Sequence, residues 1–259
     1  MGTLTEIVDG VRRRLERDPP DDGRLMALAM GRPPARGFER ALRAADRPGV
    51  IAEFKRASPS AGEIVDPDLD LAGLAKAYEA GGASAVSVLT EPTRFGGALA
   101  DLQAARLACS IPVLRKDFMV HPAQVIESRA SGADAVLLIA AALTEPELKA
   151  LLLTAADLGM DALVETHSRE DLDKALSTEA PIVGVNARDL ETLEVDIDRA
   201  MGLLPEIPDD RVAVLESGVR SREQVMRAVE AGARAILVGE ALMRAPDPGA
   251  LVRELRGGR

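Results

Sequence analysis

The sequence predicts an α/β fold of the (β/α)8 type: eight parallel strands closed into a barrel, preceded by a short helical extension. Three observations carry that prediction. The chain has 259 residues, a length that one large α/β domain can fill. Its strand candidates are apolar runs too uniform to alternate, as expected of a parallel sheet buried on both faces. A glycine and a short apolar run also recur after Ala-rich, charged, helix-like segments. The copies are Gly82-Ala83-Ser84-Ala85-Val86, Gly132-Ala133-Asp134-Ala135-Val136, Gly159-Met160-Asp161-Ala162-Leu163 and Gly232-Ala233-Arg234-Ala235-Ile236. Each reads as a helix ended by glycine, a turn and a buried strand.

The spacing counts the units. These glycines stand 50, 27 and 73 residues apart, close to two, one and three units of about 25 residues. Val50–Lys55, Ile111–Lys116, Ile182–Asn186 and Arg211–Glu216 supply the remaining strands, and the total is eight. The alternative is a doubly wound open sheet. It has fewer units and a glycine-rich nucleotide loop after its first strand, and this chain has neither. The TIM-barrel arrangement is therefore expected over 48–259, with 1–47 as the extension and 1–259 as one domain.

The extension begins with Leu4, Ile7, Val8, Val11 and Leu15 at helical spacing, with Arg and Glu between them. Pro19-Pro20 and Gly23 stop that helix. Residues 21–47 are Arg-rich and read as a second short helix and a connection, their charge a solvated face. The first strand, Val50–Lys55, is followed at once by Ser58-Pro59-Ser60, where Pro59 ends it.

Composition narrows the function. Hydrophobic residues make up 47% of the chain but aromatics only 2%, so the core is Ala, Val, Leu and Ile. The net charge of −10 argues against nucleic acid or an anionic membrane as partner. No apolar run approaches the roughly 20 residues of a membrane span. The first residues are charged throughout and lack a signal-peptide core, so a soluble cytoplasmic protein is expected. One cysteine, Cys109, excludes an intrachain disulfide and a cysteine metal cluster. It precedes the third strand and reads as inert.

In such a barrel the active site is built at the carboxyl ends of the strands. Those ends carry Glu53 and Lys55, Leu89-Thr90, Lys116, Ile139, Glu165, Asn186, Glu216-Ser217-Gly218 and Gly239-Glu240, in strand order. Glu53 and Lys55 stand two apart, so both leave a strand on one face. One such pair could be a strand-end ion pair. Glu53, Lys55, Lys116, Glu165 and Glu216, five ionisable groups from four strands in one cavity, point to acid–base chemistry, because unpaired buried charge is costly. Ser217, Gly218 and Gly239 offer small residues and free N–H groups after strands seven and eight, the usual phosphate site of this fold. Phe95 and Phe118 follow strands two and three and either clamp a planar ring or pack the barrel top. His121 and His167 read as surface histidines, and no metal is expected.

These residues resemble those of the indole-3-glycerol phosphate synthase family of tryptophan biosynthesis. The matching stretches are IAEFKRASPSAG, SVLTEPTRFGG, PVLRKDFMV, GADAVLLIAAAL, LVETHS, VGVNARDLETLEVD, VLESGV and AILVGEALM. They cover all eight strands in order, and the helical extension also looks like the family's. The chain departs at Ala61, His121 and Ala123, where the family commonly has Lys, Asp and Tyr. None of these is a catalytic position.

The resemblance implies ring closure, decarboxylation and dehydration of 1-(2-carboxyphenylamino)-1-deoxyribulose 5-phosphate to indole-3-glycerol phosphate, without a cofactor. It also implies residue roles. Lys116 matches the general acid of ring closure and Glu165 the base that takes the ring proton in dehydration, and the sequence leaves open how the transfers divide among Lys55, Lys116, Glu53 and Glu165. Lys55 matches the partner acid of dehydration, and Glu53 holds the lysines in register. Asn186 and Glu216 match groups that orient the sugar hydroxyls and the ring nitrogen. Ser58 and Arg188 match further positions around the site. Ser217, Gly218, Gly239 and Glu240 match the phosphate cradle, and Phe95 and Phe118 the ring pocket. The expected partner is this small phosphorylated substrate, for a monomer or a homodimer. Two rivals share the fold. A sugar-phosphate isomerase such as phosphoribosylanthranilate isomerase puts a Cys at the end of strand one, where this chain has Glu53 and Lys55. A non-catalytic phosphate-binding barrel has no need of Lys55, Lys116 and Glu165 together.

Overall fold

The computed structural model describes residues 3–46, 48–58, 62–64, 69–190 and 192–258. Pro59, Ser60 and Ala61, named above, lie outside them. Eight strands form a closed parallel barrel: β1 (Gly49–Phe54), β2 (Ala85–Leu89), β3 (Val113–Lys116), β4 (Ala135–Ile139), β5 (Asp161–Thr166), β6 (Ile182–Asn186), β7 (Val212–Glu216) and β8 (Ala235–Val238). Neighbours in sequence are neighbours in the sheet, and β1 closes the ring against both β2 (Ile51 beside Ala85) and β8 (Gly49 beside Ala235). A two-residue antiparallel pair, Ala57–Ser58 with Gly62–Glu63, follows β1 outside the barrel.

Nearly every strand residue is buried, which explains why the runs do not alternate. The third strand starts at Val113 rather than Ile111, because Pro112 has no N–H to give the ladder. Lys55 falls just beyond β1. Most of the outer helices start where a side chain can accept a backbone N–H. Thr144, Ser168 and Asp247 do so for α7 (Glu145–Asp157), α8 (Arg169–Leu176) and α12 (Pro248–Arg256). His121 caps α6 (Pro122–Ser131) through the N–H of Ala123, work that an Asp would also do, and Gly132 closes that helix with φ 97°.

The extension differs from the expectation. It holds three helices, α1 (Thr3–Arg17), α2 (Asp22–Met30) and α3 (Phe38–Ala44), where the sequence suggested two. Nor is all its charge solvated. Arg36 donates to the carbonyls of Ile111 and Arg106, and Arg32 to that of Ala130, so both fasten the extension to the barrel. Guanidinium groups aimed at carbonyls on other elements leave no periodic signal. Phe38 and Leu42 are fully buried where α3 packs on β1, β2 and β7. The N–H groups of Arg36 and Glu39 donate to Asp134 and Asp161, at the start of β4 and β5. Helix α1 instead reaches the loop after β2 and helix α7, through Glu6–Arg94 and Arg12–Glu147 ion pairs.

Candidate active site

The charged side chains come from alternate strands, β1, β3, β5 and β7, and the register is staggered by two residues from each to the next: Glu165 pairs with Gly184 on β6, two residues before the Asn186 that pairs with Glu216. Asn186 pairs with Glu216, Glu165 with Ile139 and Lys116 with Leu89 across the ladders. Glu53 is buried on β1, and its Oε1 lies 3.0 Å from the Lys55 ammonium. The expected side-by-side placement is therefore an ion pair. At the centre, Lys116 donates to Glu165 Oε2 and to Glu216 Oε2, each at 2.8 Å. Asn186 Oδ1 accepts the N–H of Arg188 at 3.0 Å, and Arg188 donates to the carbonyl of Leu193.

The electrostatics follow from burial. Glu165 is 2% exposed and Glu216 is sealed from solvent. Burial works against the charge on Lys116, but Glu165, Glu216 and Glu53 outweigh it and hold the ammonium well above the ordinary lysine value. Burial likewise opposes ionisation of Glu165, yet Lys116 and then His167 keep it well below the usual carboxylate range. For Glu216 burial wins. Despite the pull of Lys116, and with Glu165 adding repulsion, its carboxyl is pushed up to about 8. One carboxylate is ionised and one holds its proton, on either side of a single ammonium.

These groups open into a cleft of about 800 Å³, part of it open to solvent. Glu53, Lys55, Ser58, Phe95, Lys116, Phe118, Glu165, Asn186, Arg188 and Ser217 all line it. Phe95 and Phe118 face each other with ring centroids 6.0 Å apart and planes at 37°. A second hollow of about 440 Å³ adjoins it, lined by Lys55, Arg188, Ser217, Gly218, Gly239 and Glu240 among others. Ser217 and Gly218 both take left-handed backbone, φ 67° and 80°. A Cβ on Gly239 would overlap Glu53 Oε1, so only glycine lets β8 end there. Glu240 brings a carboxylate to this hollow, 3.9 Å from Arg188. All the sequence-predicted site residues but Glu216 line these two hollows; Glu216 is sealed from solvent and reaches the cleft through Lys116.

One reading is corrected. His167 is not a surface residue. It is 9% exposed, and its Nε2 lies 3.1 Å from Glu165 Oε1. The signal was present, since His167 stands two residues after Glu165 as Lys55 stands two after Glu53. His121 is exposed, as expected, and Cys109 is buried beside the end of α5 (Leu99–Ala108). Sequence reasoning also missed Leu4 and Ile7 of α1, which line the cleft beside Leu190 and Leu193. Helical spacing marks such residues as buried without saying against what. Among the described residues, no group of three His, Cys, Asp or Glu side chains is arranged to hold a metal.

A (β/α)8 barrel whose mouth carries an acid–base cluster beside a second hollow has the layout of an enzyme active site. The sequence profile of indole-3-glycerol phosphate synthase matches residues 4–255. An indole-3-glycerol phosphate synthase of Micrococcus luteus is 50% identical over 266 residues, covering 99% of this chain and 97% of its own. One from a Nocardioides species is 49% identical over 259 residues, covering 99% of each. A thiamine phosphate pyrophosphorylase from Pyrococcus furiosus shares the fold alone: TM-score 0.61, 15% identity, 85% of this chain and 96% of that one. The chain belongs to the indole-3-glycerol phosphate synthase family, carboxy-lyases of tryptophan biosynthesis.

Proposed function

We propose that the Lys116–Glu165–Glu216 cluster carries the proton transfers of the family's reaction and that the adjoining hollow holds the substrate phosphate. The reaction converts 1-(2-carboxyphenylamino)-1-deoxyribulose 5-phosphate to indole-3-glycerol phosphate. The observation that carries the division of roles is the Lys116 ammonium, held between two carboxyls at 2.8 Å on the cleft wall.

In ring closure the aromatic carbon bearing the carboxylate attacks the ketone, whose oxygen becomes an alkoxide. Lys116 gives that oxygen its proton. Its acidic neighbours, Glu165 first, keep the ammonium charged until then, and an alkoxide is basic enough to take the proton from it. The attack leaves an iminium at the ring nitrogen. Cleavage of the carbon–carboxylate bond returns its electron pair to that iminium and releases carbon dioxide, so no cofactor is needed. Dehydration then removes the hydroxyl formed from the ketone and the proton on the neighbouring ring carbon. Lys55 protonates the leaving hydroxyl, Glu53 holds Lys55, and Glu165 takes the ring proton.

Phe95 and Phe118 hold the aromatic ring. Asn186 orients the hydroxyls and ring nitrogen, protonated Glu216 holds Lys116 in place, and Ser58 closes the near side. The phosphate is taken by the N–H groups around Ser217, Gly218, Gly239 and Glu240, with Lys55 and Arg188 supplying charge. We also read the protein as a cytoplasmic enzyme, a monomer or a homodimer.

The test is turnover, followed by the fluorescence of indole-3-glycerol phosphate with the carboxyphenylamino substrate. Product formed in step with carbon dioxide is expected. Tight substrate binding without product would mark a phosphate-binding barrel that has lost its chemistry.

A further inference from the structure

Glu165 is held from both sides. Lys116 takes its Oε2, and His167 Nε2 stands 3.1 Å from its Oε1. His167 has no other outlet, since neither ring nitrogen has a well-angled hydrogen bond among the described residues. A buried imidazole N–H without an acceptor is costly, and the Glu165 carboxylate is the acceptor within reach. His167 does not line the cleft, so it lies behind Glu165 rather than beside the substrate.

The backbone of His167 is fixed from two further elements. Its N–H donates to Asp171 Oδ2 of α8 at 3.1 Å. Its carbonyl accepts from the guanidinium of Arg199 on α9 (Ile197–Leu203). Asp171 also sits near the start of α8, and Arg199 donates again to the carbonyls of Asn186 and Ala187. Lys174 of α8 spends its ammonium on the carbonyls of Ala140 and Leu143. Lys116 and Glu216 lie beyond Glu165. Among these groups only Glu165 meets the His167 ring within ion-pair distance. The clamps fix the backbone at His167 and leave only its side-chain torsions to set how Nε2–H meets Oε1, 3.1 Å away.

We propose that His167 is a positioning residue for Glu165: its Nε2–H fixes the carboxylate on the side away from the substrate and stabilises the charged form. This rests on Glu165 being the base, as read above. Without His167 the carboxylate can turn about its last bond and take a proton more readily, so fewer molecules hold a competent base at a given pH. Partners that orient a reacting group from behind are worth about 10- to 100-fold when removed.

Two measurements test this. The chain has 2 histidines, so its imidazole NMR spectrum holds two sets of ring signals. In the Glu165→Gln variant the His167 ring signals should move as Nε2–H loses its carboxylate acceptor, and those of His121 should stay. The second compares His167→Met with His167→Gln, side chains of similar length of which only Gln offers an N–H. His167→Met should lower kcat about tenfold with KM within about threefold. It should also move the acidic limb of the kcat profile to higher pH, since loss of a partner that favours the carboxylate raises the pH at which the base ionises. His167→Gln should recover most of kcat. Equal losses in the two variants, or unmoved His167 ring signals in Glu165→Gln, would overturn the proposal. If His167→Met does not fold, the ring signals alone decide. Full kcat in Glu165→Gln would instead remove Glu165 as the base, a separate failure.

Discussion

Gly184 and Glu216 share one space: β6 carries a glycine where the carboxylate from β7 lies across it. A Cβ on Gly184 would overlap Glu216 Oε1 and stand 3.1 Å from its Cδ and 3.2 Å from Leu163 Cδ1. The Glu216 carboxylate is sealed from solvent, bonded through Oε2 to Lys116, and leaves Oε1 without a partner. A methyl group at 184 must displace it, and Lys116 with it. Gly184→Ala should therefore cost about 1–3 kcal/mol of stability and at least about tenfold in kcat. Thermal melts and steady-state turnover check both. Wild-type kcat would show that Glu216 is free to move without consequence.

Glu216 also makes stability depend on pH. Its folded carboxyl is pushed up to about 8 from an ordinary 4.5, so the folded protein keeps a proton that the unfolded chain releases. The protonated form's advantage is fully present below 4.5, declines as the pH rises and is gone above about 8. Glu216→Gln cannot ionise and keeps an acceptor for Lys116. Its Tm relative to wild type should rise from pH 5 to pH 8 and then level off. A difference that does not change with pH would place the carboxyl in its ordinary range.

Ser217 tests the phosphate hollow. Its φ of 67° is a left-handed conformation that glycine adopts freely and other residues adopt at a cost of about 1 kcal/mol. Ser217→Gly should keep KM within about threefold and should not lower Tm. Ser217→Asp sets a carboxylate against the phosphate and should raise KM far more than it lowers kcat. An unchanged KM in the Asp variant would move the phosphate elsewhere.

The barrel was legible because its signals are periodic. Glycine-closed helices and uniform apolar runs repeat every unit, and they located all eight strands to within a few residues. The charged mouth was legible because strand ends are also active-site positions in this fold, so Glu53, Lys116, Glu165, Asn186 and Glu216 declare themselves by place. What stayed hidden depends on contacts between distant segments. Nothing in the spacing of Leu4 and Ile7 says that α1 faces the cleft rather than a neighbouring helix. Arg36 reads like any solvated arginine until its carbonyl acceptors are known. His167 was misread because a histidine after a strand is commonly exposed, and only the turn of β5 into α8 buries it.

The central claim is that Lys116 supplies the proton of ring closure. It is tested most directly by single-turnover kinetics of Lys116→Ala, with circular dichroism to confirm the fold. Removing a positioned general acid costs on the order of 10² to 10⁴ in rate. The first-order rate of product formation should fall by that factor, with the substrate Kd within about fivefold because phosphate and ring contacts remain. A variant that keeps more than about a tenth of the wild-type rate would contradict the account and leave Lys55 as the acid for both steps.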